Sequence, residues 1–330
     1  MKSKTKSRMT PEQIKAVTTL HFPNAERLRI KELTDGMFNA AYLIEGSGVL
    51  EKGVVLKVGP ESTVEILTYE QDILRTEVKV YNLLKDKPIP TPIVYAYDFT
   101  HKHIPCDYFF MEKLDGQTWK SCGRKIKKGD RPALMRDLGR CNAAVHSVEG
   151  NWFGYIKDDK RFHFDSWGKA FTSMMNDILN DGRMRGDKLP YAEIDNILKS
   201  HRSLLDAVTV PKLVDFDMWA GNVFLKKNGA FHITGVVDFE RCFFGDPYAD
   251  FTSAMMLFSD VEKEQDFCTG YSEISGLPVT IGEDDRVRMN LYRLYMAVIM
   301  MVETYRYNKA YAMMAKSYFK GQINKLIQKL

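Results

Sequence analysis

Three oxygen-bearing side chains lie in a short ordered stretch: Asp217, then Asn222 five residues on, then Asp238 at the end of an apolar run. That order and those residue types suit transfer of a phosphoryl group. One carboxylate orients the attacking hydroxyl or accepts its proton, and hard oxygen ligands hold a Mg²⁺ that bridges the nucleotide phosphates. Asp217 is the candidate for the first task, Asn222 and Asp238 for the second. Two β-type runs, 223–225 and 233–239, separate Asn222 from Asp238 and are joined by the turn Lys227-Asn228-Gly229. A hairpin there returns Asp238 to the loop that carries Asn222.

The rest of the chain must supply a frame for these groups. The first third reads strand, strand, strand, helix, strand, strand. β-type segments at 28–33, 41–44 and 54–58 are parted by Asp35-Gly36 and Gly46-Ser47-Gly48 turn signals, which predicts an antiparallel meander. Ile66, Ile73, Val80 and Leu84 recur at helical intervals and predict a helix over 65–85, closed by Pro88, Pro90 and Pro92. Strand-like pieces at 93–97 and 108–111 lead to the turn Asp115-Gly116. An earlier helix starts at Thr10-Pro11-Glu12-Gln13 with a capping box. Beyond Gly116 helical periodicity dominates, at 133–147, 167–179, 194–207, 248–258 and 287–330. The division predicted is a nucleotide-binding lobe over 1–112 and a helical lobe with the catalytic loop and acceptor pocket over 113–330.

The stretch Asp217-Met218-Trp219-Ala220-Gly221-Asn222, with Val237-Asp238-Phe239-Glu240 and Gly245-Asp246-Pro247, resembles the aminoglycoside phosphotransferase and choline kinase-like family of small-molecule kinases. The resemblance runs from Thr34 to about Phe258. It implies an α+β, two-lobed protein-kinase-like fold: a small antiparallel sheet with one helix, and a larger, mainly helical lobe. Val54-Val55-Leu56-Lys57-Val58 resembles the strand bearing the phosphate-binding lysine, and Glu77 in Arg75-Thr76-Glu77 the helix glutamate that pairs with it, with Glu70 the next choice. An opposite charge beside Lys57 is also what a buried phosphate-binding lysine requires. Leu33-Thr34-Asp35-Gly36-Met37-Phe38-Asn39 resembles the nucleotide loop, which implies phosphate contacts near Gly36 and Asn39. The segment 109–116 is similar to the interlobe linker, where the Glu112 carbonyl and the Leu114 amide would bond adenine.

The family implies ATP (or GTP) as co-substrate with Mg²⁺, and a hydroxyl acceptor that is aminoglycoside-like or another small polar molecule. An acidic pocket drawn from Asp115, Glu240, Asp246 and Glu283 to Asp285 would suit an aminoglycoside. The catalytic stretch is also similar to the Asp-Leu-Trp-Ser-Gly-Asn form of fructosamine kinases, which carry Asp-Pro-Ala where this chain has Asp238-Phe239-Glu240. One departure is larger. The family's His-Gly-Asp reads Asp215-Phe216-Asp217 here, which motivates a third reading, a nucleotide-binding pseudokinase. The favoured expectation is an active kinase in which Asp215 accepts backbone amide bonds and supports the loop. Asp246 and Asp250 are expected to cap a helix or bond the catalytic loop, and His146 to pack in the core.

Composition narrows the partners. The formal charge is only +4, from 47 basic and 43 acidic residues, so no strongly basic surface is expected for nucleic acid. The local clusters Lys2, Lys4, Lys6, Arg8 and Arg124, Lys125, Lys127, Lys128 read as solvated. No apolar run follows the basic amino terminus as in a secretory signal, and the apolar run 294–302 is too short to span a bilayer. A cytoplasmic protein without a membrane partner is expected. Its five cysteines are scattered and odd in number, which suits reduced thiols.

Overall fold

The computed structural model describes residues 5–34, 36, 38–253 and 260–330. In the first lobe, α1 (Pro11–His21) opens on the expected capping box: Gln13 N donates to Thr10 Oγ1 at 3.2 Å and Thr10 N to Gln13 Oε1 at 2.9 Å. Strands β1 (Arg29–Leu33), β2 (Ala40–Glu45) and β3 (Val54–Val58) follow, then α2 (Ile73–Leu84), β4 (Val94–Asp98) and β5 (Tyr108–Glu112). The five strands pair antiparallel in the order β1-β2-β3-β5-β4.

Alternation along these strands decides what faces the site. Leu56 and Val58, with Tyr42 and Phe110, pack with Ile14 and Val17 of α1. Lys57 and its cross-strand partner Phe109 therefore turn to the opposite face, where Phe109 clusters with Ile73, Leu74, Val78 and Tyr81 of α2. Helix α2 starts later than the periodicity over 65–85 predicts. Asp72 sits in the left-handed region (φ 57) and separates α2 from a single 3-10 turn, Thr68–Glu70. Apolar spacing runs on through such a break, so it is invisible to periodicity.

The second lobe contains β6 (Gln117–Thr118), α3 (Trp119–Cys122), α4 (Arg131–His146), β7 (Gly154–Tyr155), α5 (Trp167–Met184), α6 (Tyr191–Ser200) and α7 (Arg202–Asp206). After these come β8 (Lys212–Val214), β9 (Val223–Asn228), β10 (Ala230–Val236), β11 (Phe243–Gly245), α8 (Asp250–Ser253), α9 (Gln265–Ser275), α10 (Glu283–Val302) and α11 (Lys309–Ile327). Small three-stranded sheets form in the orders β10-β9-β6 and β7-β11-β8. The β9–β10 turn places Gly229 at φ 74, a backbone state that a Cβ disfavours. Helices α4 and α9 meet backbone to backbone: a Cβ on Gly139 would lie 2.1 Å from the Phe267 carbonyl oxygen, and one on Gly270 1.9 Å from that of Arg136.

Several boundaries differ from the sequence expectation. The run 287–330 is two helices, α10 and α11, separated by a 3-10 turn at Glu303–Arg306, and Asn308 caps α11 by accepting from Tyr311 N at 3.0 Å. The segment 194–207 divides into α6 and α7 at His201. Helix α9 is not among the expected helices. Residues 254–258 of the expected helix 248–258 lie outside the described residues, as do Lys2 and Lys4 and, in the nucleotide loop, Asp35 and Met37. Among the described residues no helix is long and apolar enough to cross a membrane.

Candidate active site

Strand β3 is buried along its whole length, so a lysine within it persists only if its charge is met. Lys57 Nζ lies 2.6 Å from Glu77 Oε2, 2.5 Å from Asp238 Oδ1 and 3.1 Å from Glu240 Oε2. Glu77 comes from α2, and Tyr81 one turn later donates its hydroxyl to Glu77 Oε1 at 2.9 Å. Glu70 is not in this cluster. Burial opposes the Lys57 charge, but the carboxylates of Asp238, Glu240 and Glu77 hold its pKa well above the ordinary value. Burial likewise opposes ionisation of Asp238, and Lys57 keeps its carboxyl below the usual range. Burial and then Asp238 push Glu240 up to about 8.

The catalytic loop is held from the second lobe. Phe216 adopts φ 62, a conformation costing about 1–3 kcal/mol for a bulky residue, and this bend presents Asp217. Asp250, at the start of α8, restrains the bend by accepting from Asp215 N at 3.0 Å and Phe216 N at 2.6 Å. Asp250 in turn lies 2.9 Å from His146 Nε2 and accepts from Asn142 Nδ2 at 3.2 Å, both residues of α4. The Tyr271 hydroxyl of α9 lies 2.9 Å from His146 Nδ1. His146 is thus a core histidine, and Asp250 a support of the loop.

Asp215 is a weaker support of the loop than expected. It is buried, and neither carboxylate oxygen makes a well-formed hydrogen bond among the described residues, although the Asp217 backbone amide lies close enough to favour its charged form. Burial, and then the charges of Asp250, Asp217 and Asp238, raise its pKa well above the ordinary value. Asp250 reaches the bend from outside the loop and takes the Asp215 and Phe216 amides with its two oxygens.

Register brings the remaining groups together. Asn222 Nδ2 donates to the Asp217 carbonyl at 3.0 Å and reaches Asp217 Oδ2 at 3.4 Å. The β9–β10 pairing sets Val223 opposite Val236, and Val237 N donates to the Asn222 carbonyl at 3.0 Å. Asp238 follows, just beyond β10, at φ 74. Burial raises Asp217 to about 7 against the lowering pull of Arg241. Carboxylate oxygens of Glu77, Asp238 and Glu240 lie within 4.8 Å of one another around Lys57 Nζ; their hard-oxygen character suits Mg²⁺, but the ammonium takes up the contact they share.

The other expected residues stand differently. Asn39 is buried, and its Nδ2 donates to Glu240 Oε2 at 2.5 Å, which ties the nucleotide loop to the acidic cluster. Gly36 is exposed. Glu112 ends β5, where its Oε2 accepts from Ile93 N at 3.3 Å, and Leu114 packs against Gly235 of β10. These last three lie outside the charged cluster. Sequence reading missed Arg241, Glu303 and Arg306, and saw Glu240 only as a contributor to an acidic pocket. Arg241 Nε is 3.7 Å from Asp217 Oδ2, and its Nη2 donates to Glu303 Oε1 at 2.7 Å. Tyr69 also bonds Glu303, and Arg306 pairs with Glu70 while its guanidinium sits 5.2 Å from the Phe38 ring. The available signal was the polar run Glu303-Thr304-Tyr305-Arg306 interrupting an apolar helix.

A model of the phosphotransferase enzyme family matches residues 29–279. No curated protein matches the chain by sequence. Among solved structures, a candidate fructosamine-3-kinase from Thermobifida fusca YX-ER1 is 18% identical with a TM-score of 0.67, over 95% of this chain and 96% of its own. A candidate aminoglycoside phosphotransferase from Ralstonia eutropha JMP134 is 15% identical, with a TM-score of 0.65 over 98% and 99%. An aminoglycoside phosphotransferase with ADP bound is 14% identical, with a TM-score of 0.59 over 97% and 99%. At these identities the likeness establishes the fold, a small antiparallel sheet lobe joined to a larger helical one.

Proposed function

Because this chain belongs to the phosphotransferase enzyme family, we propose that it transfers the γ-phosphoryl of ATP or GTP to a hydroxyl of an aminoglycoside-like or other small polar acceptor. The observation that carries this reading is the convergence of Lys57 and Glu77 from one lobe on Asp238 from the other, beside Asp217 and Asn222. Asp217 orients the acceptor hydroxyl and takes its proton, a task suited to a carboxylate held near pKa 7. Lys57 meets the α- and β-phosphates, and Glu77 fixes its direction. Asn222 and Asp238, with Glu240 adjacent, would hold Mg²⁺, which when bound neutralises charge on the phosphate oxygens. Backbone near Gly36 and Asn39 covers the phosphates, and the Glu112 carbonyl and Leu114 amide meet the base. The nucleotide belongs to residues 1–112 and the acceptor to 113–330. The ADP held by one solved relative and the GDP held by another support either purine. The small net charge suits a cytoplasmic enzyme with a small-molecule partner and no nucleic acid.

A second reading, a kinase of fructosamine-like sugar amines, draws on the similarity of Asp217-Met218-Trp219 with Gly221-Asn222 to the fructosamine-kinase catalytic stretch; TM-scores of 0.67 and 0.66 to candidate fructosamine-3-kinases and 0.65 to a candidate aminoglycoside phosphotransferase do not separate the two readings. Both readings meet one experiment: nucleotide turnover with Mg²⁺ across aminoglycosides, sugar amines, sugars and sugar acids. Asp217→Asn should lower kcat by about 10²–10⁴-fold while nucleotide binding persists. Nucleotide binding without turnover on any acceptor establishes the pseudokinase; a variant within about tenfold of wild type removes Asp217 as the base.

A further inference from the structure

The two sides of Asp217 carry different charged neighbours. Around Lys57 the neighbours are three carboxylates, whereas the charged side chain in contact with Asp217 is the guanidinium of Arg241. Glu303, Glu70 and Arg306 lie deeper: their side chains are 5%, 1% and 2% exposed, against 15% for Arg241 and 22% for Asp217. An incoming hydroxyl compound that reaches Asp217 therefore meets Arg241 beside it. Of the guanidinium's N–H donors, the described residues engage one in a hydrogen bond, to Glu303. Its face lies 5.5 Å from the Tyr69 ring, and Tyr69 and Glu303 together fix it in place.

Of the carboxylates on this side two have fixed partners, while Asp177 is half-buried near Arg161 and Lys157. Asp181 accepts from Thr68 N at 2.7 Å and from the Thr68 hydroxyl at 2.9 Å. Glu70 pairs with Arg306. Lys157 is buried beside Tyr69 and donates to the carbonyls of Thr68 and Tyr69 at 3.1 and 3.0 Å, and burial lowers its pKa to about 7, so it adds no fixed positive charge. An ammonium placed beside Arg241 would face a like charge, while an oxygen lone pair or carboxylate would find open donors.

We propose that Arg241 selects the acceptor: the hydroxyl compound phosphorylated here presents oxygen, as in a sugar or sugar acid, to the guanidinium, and polycationic aminoglycosides are disfavoured. This rests on the kinase reading and narrows its acceptor class. The test compares kcat/KM for gluconate, glucose and kanamycin in wild type, Arg241→Gln and Arg241→Glu. In wild type, gluconate and glucose should exceed kanamycin. Arg241→Gln, which keeps a side chain of donor character without the charge, should raise KM for gluconate about tenfold with a smaller change in kcat. Arg241→Glu should reverse the ranking toward kanamycin. A wild-type preference for kanamycin, or a ranking unmoved by both variants, overturns the selection and leaves the kinase reading standing. Bound Mg-ATP without turnover on any of the three, or on the wider acceptor panel, overturns both.

Discussion

Asp215 is the residue whose behaviour departs furthest from its expected role. Its carboxyl is buried amid the charges of Asp250, Asp217 and Asp238, which favour the neutral form against the pull of the Asp217 backbone amide. In the unfolded chain an aspartate has a pKa of about 3.9. The folded form therefore keeps a proton that the unfolded form releases, and stability falls as pH rises from about 4 toward the folded pKa. Asp215→Asn removes that dependence. We predict that the melting temperature of the variant, relative to wild type, climbs as pH rises from about 4; a difference independent of pH would mean that Asp215 ionises freely in the fold. The contrast with Asp217 shows what is legible at this scale. Asp217, Asn222 and Asp238 can be read from spacing because a local hairpin joins them. Arg241 and Glu303 meet across 62 positions, and Asp250 reaches Asp215 across 35, so no spacing rule connects them.

The first-lobe strands are readable, because the apolar run 54–58 marks a strand whose pleat sets Lys57 opposite Leu56 and Val58; the short strands β6, β7, β8 and β11 of the second lobe are not among the expected elements. Helix ends are less so: the polar run Glu303–Arg306 forms a 3-10 turn that parts α10 from α11 inside one long periodic stretch, and the left-handed Asp72 delays α2 without a signal from glycine or proline. Helix α9 carries Gly270 against α4 and Tyr271 against His146, so its docking helps to set the catalytic bend. A methyl group at Gly270 would overlap the Arg136 carbonyl, and we predict that Gly270→Ala costs about 1–3 kcal/mol and lowers turnover as well. Gly321, within α11 and with nothing within 4 Å of its would-be Cβ, provides the comparison. Gly321→Ala should stabilise by about 0.5–1 kcal/mol. Denaturant unfolding of both variants decides the matter: equal effects at the two sites would remove the close helix contact from the account.

For the whole molecule, the division into a β-rich lobe and a helical lobe is plain in the change of periodicity after Gly116, and the family follows from motifs that survive at low identity. How the lobes are fastened is not plain. Among the fastenings are Lys57 with Asp238 and Glu240, and Arg306, 2% exposed, which reaches Glu70 from a position 236 residues later and lies over Phe38 of the nucleotide loop. Removing one member of a buried pair strands the other, so we predict that Arg306→Ala costs about 3–5 kcal/mol and that Glu70→Gln in the same chain restores part of it. No recovery in the double variant would mean that Arg306 acts by packing alone. Seen as a matter of synthesis, the same pair sets a schedule. A growing chain has both strands and lysine of the first lobe long before Arg306 exists, and until that residue emerges from the ribosome Glu70 has no guanidinium to bury against. The cleft is then assembled late, and an arrested chain ending at 302 should refold its helices yet show no nucleotide-dependent gain in melting temperature.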